Sequence, residues 1–96
     1  MAYIVPKLED WSLAALDKAV QELLTAVEHE SQAIKSEGEW KEFRDRWMAR
    51  KNGILTQVND LWLKAAPGPA KRDVGARVNQ VKTEVEQAVD AAQARS

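Results

Sequence analysis

Cysteine is absent from this chain of 96 residues, and proline and glycine are scarce. The lack of cysteine excludes disulfide bonds, thiolate zinc sites and cysteine nucleophiles. The longest apolar runs are only a few residues, which excludes a membrane-spanning helix. The first ten residues lack the basic region and the long apolar stretch of a signal peptide. A cytoplasmic protein with a single small domain over residues 1–96 is therefore expected.

Neither sign of charge dominates overall, but the two signs are separated along the chain. Residues 1–40 carry three lysines and eight acidic residues, a net charge of −5. Residues 41–82 carry ten basic and four acidic residues, a net of +6, and residues 83–96 carry one and three, a net of −2. The basic middle segment indicates a polyanionic partner. The alternative is that the oppositely charged segments attract each other within the fold.

Apolar residues recur at spacings of three and four in three stretches, and no stretch alternates with a period of two. This pattern predicts an all-α fold. The predicted seams are Leu13, Leu16, Val20, Leu23, Val27 and Ile34 in the first helix, Trp40, Trp47, Ile54, Val58, Leu61 and Ala65 in the second, and Val74, Val78, Val81, Val85, Ala88 and Ala92 in the third.

Residues that break helices set the predicted boundaries. Ser12 or Asp10 can cap the first helix, and Gly38 is expected to end it. Asn52-Gly53 predicts a break in the second helix, because glycine is a poor helix former. The following Ala-Pro-Gly-Pro-Ala sequence predicts a tight turn, after which Pro69 suits the start of the third helix. The predicted elements are helix 1 at about 10–37, helix 2 at about 39–65, a turn at 66–70 and helix 3 at about 70–93.

The short connections favour antiparallel neighbours, so helices 2 and 3 are expected to form an antiparallel hairpin of coiled-coil type. Helix 1 is expected to lie against this hairpin and to complete a bundle of three helices. Two arrangements remain open at this point, since helix 1 could pack on its own hairpin or on that of a second copy.

No set of residues in the sequence has the pattern of a catalytic site. His29 is the only histidine, and it points in a different direction from Glu28 and Glu30 on a helix, so the three cannot bind one metal. The glycines are isolated and follow no strand, which excludes a phosphate-binding loop. We therefore expect a binding role, without enzymatic activity and without a cofactor.

The basic residues of the middle segment are the candidates for a binding surface. Lys71 and Arg72 fall in the first turn of helix 3, where positive charge is mildly unfavourable. Lys64 lies near a helix C-terminus, which stabilises a cation, and Arg77 can pair with Asp73 one turn earlier. Phosphate groups are natural partners for such residues, and the alternative is a solvated helix face. The candidate contacts are Lys64, Lys71, Arg72, Arg77 and Lys82 at the hairpin tip, which is preferred, and Arg50 and Lys51 ahead of the break.

Tryptophan is common for so short a chain, with four residues. Trp40 and Trp47 lie on the predicted seam and are expected in the core. Trp62 stands between Leu61 and Leu63, so at least one of these three is expected to face outwards. An outward-facing Trp62 could stack on unpaired bases, or it could contact another protein.

The segment from Trp47 to Val85 resembles the N-terminal coiled-coil domain of the phenylalanyl-tRNA synthetase α subunit. That family has an aromatic-Leu-Gly-Lys-Lys-Gly-x-Leu-Thr stretch, to which residues 47–56 correspond, with Ala49 in place of a glycine and one extra residue before Gly53. A proline-containing turn then precedes a fixed spacing of glycine, asparagine, lysine and an aliphatic residue. The matching residues are Pro69, Gly75, Asn79, Lys82 and Val85.

The resemblance implies a tRNA-binding arm that positions tRNA, specific for phenylalanine, for aminoacylation. It also implies two protein partners, the synthetase catalytic domain and the β subunit. ATP and magnesium would act in that class II catalytic domain, none of whose motifs occurs in this sequence. The alternative function is a helical protein-interaction or oligomerisation module without nucleic-acid binding, for which self-association is expected.

Overall fold

A computed structural model describes residues 2–96, and helices are the only regular secondary structure in that range. The expected all-α fold is confirmed. No helix within the described range is both long and apolar enough to cross a membrane. The elements are α1 (Leu13–Gln32), α2 (Glu37–Met48), α3 (Ile54–Val58), which continues directly as a π-helix (Asn59–Lys64), a 3-10 turn (Gly68–Ala70) and α4 (Lys71–Arg95).

The predicted antiparallel hairpin is formed by α2, α3 and the π-helix as the first arm and by α4 as the second arm. At the tip, Lys71 Nζ lies 2.9 Å from the carbonyl oxygen of Leu63. Towards the other end, the indole nitrogen of Trp40 donates to the carbonyl oxygen of Val89 at 2.9 Å. The start of α4 therefore lies beside the end of the first arm, and its later turns lie beside α2.

Helix α1 packs against α4 of the same chain and runs parallel to it. Near its start, Asp17 Oδ1 accepts from Arg77 Nε at 2.9 Å, and near its end the Ser31 carbonyl accepts from Arg95 at 2.9 Å. The result is an elongated bundle with extents of 43 × 24 × 23 Å.

Helix α1 begins at a side-chain cap. Ser12 Oγ accepts from the backbone N–H of Ala15 at 3.2 Å, and Asp10 Oδ1 accepts from the Ser12 N–H at 2.9 Å. Ser12 is therefore the N-cap, and Asp10 supports it from outside the helix. The hydrogen bond from Ser12 lowers the pKa of the Asp10 carboxyl below its ordinary value.

The prediction that Gly38 ends the first helix is wrong, because α1 ends at Gln32 and Gly38 lies in the first turn of α2. Ser36 Oγ accepts from the N–H of Glu39 at 3.1 Å, and the Glu39 carboxylate accepts from the N–H of Lys35 at 2.8 Å. The first bond satisfies an N–H group that the start of a helix leaves unpaired, and the second ties the residue before the cap to the first turn of the helix. The cap therefore starts a new helix ahead of the glycine.

The buried face of the first arm departs from the predicted seam after Val58. Trp62 and Ala66 are buried in place of the predicted Leu61 and Ala65. The heptad pattern predicts a step of three residues, from Val58 to Leu61. The π-helix explains the change, because its wider turn brings the residue four positions on, Trp62, to the buried face.

Trp62 is only 2% exposed, and its indole N–H donates to the carbonyl oxygen of Pro6 at 2.8 Å. Leu61 and Leu63 lie half-buried on either side of it. The idea that Trp62 stacks on bases or contacts another protein is therefore wrong in this fold.

Residues 2–12, which we call the N-terminal strap, have no regular secondary structure and lie along the first arm. Val5 is buried, and the Tyr3 ring stacks on Trp47 with 5.7 Å between ring centroids and 15° between planes. Together with the bond from Trp62 to Pro6, these contacts make the strap part of the core. The sequence pattern did not predict this role.

The remaining core follows the predicted seams closely. Trp40 and Trp47 are buried, at 7% and 0% exposure, as predicted. In α4 Val89 is buried instead of the predicted Ala88, and in α1 the predicted seam residue Leu13 is 56% exposed. The other buried seam residues are Leu16, Val20, Leu23 and Val27 in α1, and Val74, Val78, Val81, Val85 and Ala92 in α4.

Tyr3, the only tyrosine, provides a test of the docked strap. Burial, and secondarily the negative charge of Glu22, raise the pKa of the Tyr3 hydroxyl above its ordinary value of about 10. The folded state therefore favours the neutral phenol, and this contribution to stability is present below about pH 10 and is lost as the pH rises through the folded-state pKa. Ultraviolet titration of tyrosinate should give a midpoint well above that of the urea-unfolded chain. Identical midpoints would contradict the docking of the strap.

Candidate nucleic-acid interface

The ten basic residues of segment 41–82 differ in whether their side chains have a partner within the protein. Six have an ion-pair or hydrogen-bond partner: Lys41 with Glu37, Arg44 with Asp45, Arg46 with Glu30, Lys64 with Asp60, Lys71 with two backbone carbonyls, and Arg77 with Asp17. Within residues 2–96, the side chains of the other four have no such partner. These four are Arg50, Lys51, Arg72 and Lys82, and all four are exposed.

Lys71 has a structural role that the sequence did not reveal. Its ammonium donates to the carbonyl oxygens of Leu63 and Lys64, at 2.9 and 3.2 Å. The last carbonyls of a helix have no partner inside it, so this lysine caps the end of the first arm. The position of Lys71 in the unfavourable first turn of α4 is therefore explained by the fold. Lys64 is also engaged, since its ammonium lies 3.2 Å from Asp60 one turn earlier.

Arg77 faces α1, where it is bonded to Asp17. The predicted side-chain pair with Asp73 is not formed, because Arg77 Nη1 donates to the Asp73 backbone carbonyl instead, at 3.2 Å. Arg46 pairs with Glu30 in the same way, from the hairpin to α1. The alternative explanation of the charge separation, attraction within the fold, therefore holds for these two basic residues.

Arg50 and Lys51 lie in the loop that joins α2 to α3, here called the 49–53 loop. Thr56 Oγ1 donates to the carbonyl oxygen of Arg50 at 2.9 Å. Gln57 Nε2 donates to the carbonyl oxygen of Asn52 at 2.8 Å. Two side chains of α3 thus hold the backbone of the loop, which fixes where the two basic side chains leave it.

Two residues give the 49–53 loop its shape. Asn52 has a φ of 64°, a left-handed conformation in which asparagine is more common than most other residues. A Cβ on Gly53 would lie 2.2 Å from the carbonyl oxygen of Ala49, so only glycine fits there. The loop thus accommodates the residue that is additional to the family pattern, and Ala49, with a φ of −59°, needs no glycine.

A surface groove of about 310 Å³ lies between the first arm and α4. Thr56 and Lys82 both line it, although they come from the two separate stretches of the family resemblance. Since Thr56 also holds Arg50, the groove lies next to the 49–53 loop. The other residues that line it are Leu55, Val58, Asn59 and Val78.

Arg72, Gly75, Asn79 and Lys82 follow a spacing of three and four, which places them on one stripe of α4. The stripe is roughly 15 Å long at 1.5 Å per residue. The only acidic residue between its ends is Asp73. We call this stripe, together with the two basic side chains of the 49–53 loop, the cationic face. Asn79 was not among the predicted contacts, although its spacing from Arg72 and Lys82 was visible in the sequence.

Other sites of the molecule offer less chemistry. Within residues 2–96 there is no group of three or more His, Cys, Asp or Glu side chains that could hold a metal ion, and His29 is exposed. A second groove, of about 730 Å³, lies between α1 and α4 and has a mixed lining that includes Leu24, Glu28 and Glu84.

A family model described as the N-terminal domain of class II aminoacyl-tRNA synthetases matches residues 35–96. The chain belongs to this family. The matched range of this synthetase domain contains α2, α3, the π-helix and α4, and with them the whole cationic face, whereas the strap and α1 lie outside it. Comparisons with curated proteins and with solved structures give no match.

Substitution of Gly53 by alanine tests the geometry of the 49–53 loop. The added methyl group would collide with Ala49, so we expect Gly53→Ala to lower the free energy of unfolding by about 2 kcal/mol. Urea denaturation followed by circular dichroism measures this change. Gly38→Ala is the control, because no atom lies within 4 Å of its added Cβ, and it should leave stability equal or higher. A Gly53→Ala variant as stable as the Gly38→Ala variant would contradict the described loop.

Proposed function

We propose that this synthetase N-terminal domain binds tRNA through the cationic face. The observation that carries the proposal is that its four basic side chains have no partner among the described residues. Lys82 lines the groove at which the two family-like stretches meet, and Arg50 and Lys51 lie in the loop next to that groove. The preferred contact region therefore moves from the hairpin tip, where Lys64 and Lys71 are engaged, to the 49–53 loop and the α4 stripe.

Phosphate groups suit this surface better than acidic protein groups do, because four exposed cations are distributed along a length of roughly 15 Å or more. The sequence from Arg46 to Asn59 contains no acidic residue, so no carboxylate of that stretch competes for Arg50 and Lys51. Release of counterions should make the affinity fall steeply with salt, with a log–log slope of about −3 for four phosphate contacts. Backbone contacts of this kind position a nucleic acid without reading its sequence.

The role of this binding within the enzyme follows from the family. Since the resemblance is to the phenylalanyl enzyme, we infer that the natural ligand is the phenylalanine-specific tRNA. We assign to this domain the positioning of that tRNA, and we assign aminoacylation, with its ATP and magnesium, to the catalytic domain and the β subunit of the parent enzyme. The isolated domain should bind weakly, because in the assembly its contacts add to those of the other modules.

A protein-interaction module without nucleic-acid binding remains the second candidate, and exposed apolar side chains favour it. Ile4 in the strap is 81% exposed, and Leu13, the first residue of α1, is 56% exposed. Trp62 no longer supports this candidate, because the strap of the same chain already covers it. A concentration-dependent dimer in light scattering, together with no affinity for tRNA, would favour this second function.

Removal of two unpartnered charges provides the test of tRNA binding. Lys51→Gln combined with Lys82→Gln should weaken binding of a phenylalanine-specific tRNA transcript about tenfold or more at low salt, and should reduce the magnitude of the salt slope by about 1.5. Fluorescence anisotropy over a series of salt concentrations measures both quantities. Neither substitution removes a contact of the fold, so the melting temperature should stay unchanged.

The matched control is Lys18→Gln combined with Lys35→Gln, which removes the same charge from exposed positions outside the hairpin. It should change the affinity less than about threefold. Equal losses in the two double variants would mean that net charge alone governs binding. No measurable affinity of the parent domain at low salt would reject the proposed function.

A further inference from the structure

Gly75 lies inside α4, in a conformation that any residue can adopt. Its φ is not positive, and it is followed by five further turns of regular helix. A Cβ at this position would lie 3.8 Å from Leu63 Cδ1, which is an ordinary van der Waals contact. Because glycine in a helix interior lowers stability, alanine at this position would make the fold more stable. The packing around Gly75 therefore gives no reason for a glycine there.

The position of Gly75 on the surface gives a different reason. It lies on the α4 stripe, one turn after Arg72 and one turn before Asn79, and it is partly exposed. Neither flanking side chain has a hydrogen-bond partner among residues 2–96. Lys71, one turn before on the adjoining face, has its ammonium directed to the carbonyls of the first arm. Gly75 thus places no side chain on the stripe between the Arg72 guanidinium and the Asn79 amide.

We propose that Gly75 is a contact point at which the sugar-phosphate backbone of an RNA strand approaches the main chain of α4. The inference rests on the proposed tRNA binding and adds the place of closest approach. Without a Cβ, the strand lies deeper against the helix, as glycine allows wherever a ligand nears the backbone. The Arg72 guanidinium and the Asn79 amide then reach the phosphate oxygens of that strand from both sides.

The test separates stability from binding by adding uncharged side chains of increasing size. Gly75→Ala should raise the melting temperature by about 4 °C, because alanine is the better helix former. The same substitution should weaken binding of the tRNA transcript about threefold, and Gly75→Gln should weaken it at least about tenfold, because each added atom holds the strand further from the helix. Calorimetry measures the first quantity and fluorescence anisotropy measures the second.

Gly38→Ala and Gly38→Gln are the matched controls, since Gly38 also lies in a helix with open space around it but is remote from the cationic face. Both should leave the affinity for tRNA unchanged. If the parent binds tRNA and Gly75→Gln binds it equally well, the inference fails while the proposed function stands. If the Gly75 variants lose stability along with affinity, the glycine is structural and the inference fails as well. If the parent itself does not bind tRNA, both proposals fail together.

Discussion

Three indole N–H groups on the first arm of the hairpin connect it to every other part of the bundle. Trp40 donates to Val89 in α4, Trp47 donates to Glu30 in α1, and Trp62 donates to the backbone of the strap. Burial of each ring contributes about 4–6 kcal/mol before the entropic cost of ordering, and each hydrogen bond adds about 1 kcal/mol. Since the bond also fixes the direction of each ring, the three tryptophans determine which face of the arm is inside.

Because the three tryptophans fix the inner face of the arm, they also fix which of its residues face the solvent. The arm has two irregular parts: the 49–53 loop follows Trp47 closely, and the π-helix contains Trp62. The loop also carries Arg50 and Lys51 to the surface, where neither meets an acidic group of residues 2–96. Elsewhere basic side chains form ion pairs between helices, since Arg46 and Arg77 bind carboxylates of α1. The charges of the cationic face are therefore those basic side chains of the hairpin that have no partner among the described residues.

Periodicity predicted the helices, the hairpin and most of the core, because buried helical faces repeat at three and four residues. It did not predict the strap, since residues 2–12 have no period, or the π-helix, in which Trp62 is bonded to the distant Pro6. The prediction that Gly38 ends a helix failed because the side chain of Ser36 caps the start of a new helix just before the glycine. The sequence placed basic residues correctly on the hairpin, but whether each is free depends on carboxylates and carbonyls far away in the chain. Lys71 illustrates this, since its partners belong to the other arm.

Binding through the cationic face can be tested by chemical-shift mapping of the labelled domain during titration with tRNA at low salt, because the shifts report on every residue at once. The largest changes are expected in the 49–53 loop and along the α4 stripe, with smaller ones at Lys64. The backbone signals of α1 and the indole signals of the three buried tryptophans should stay in place. Changes concentrated on α1, or no change at any residue at a high concentration of tRNA, would contradict binding through the cationic face.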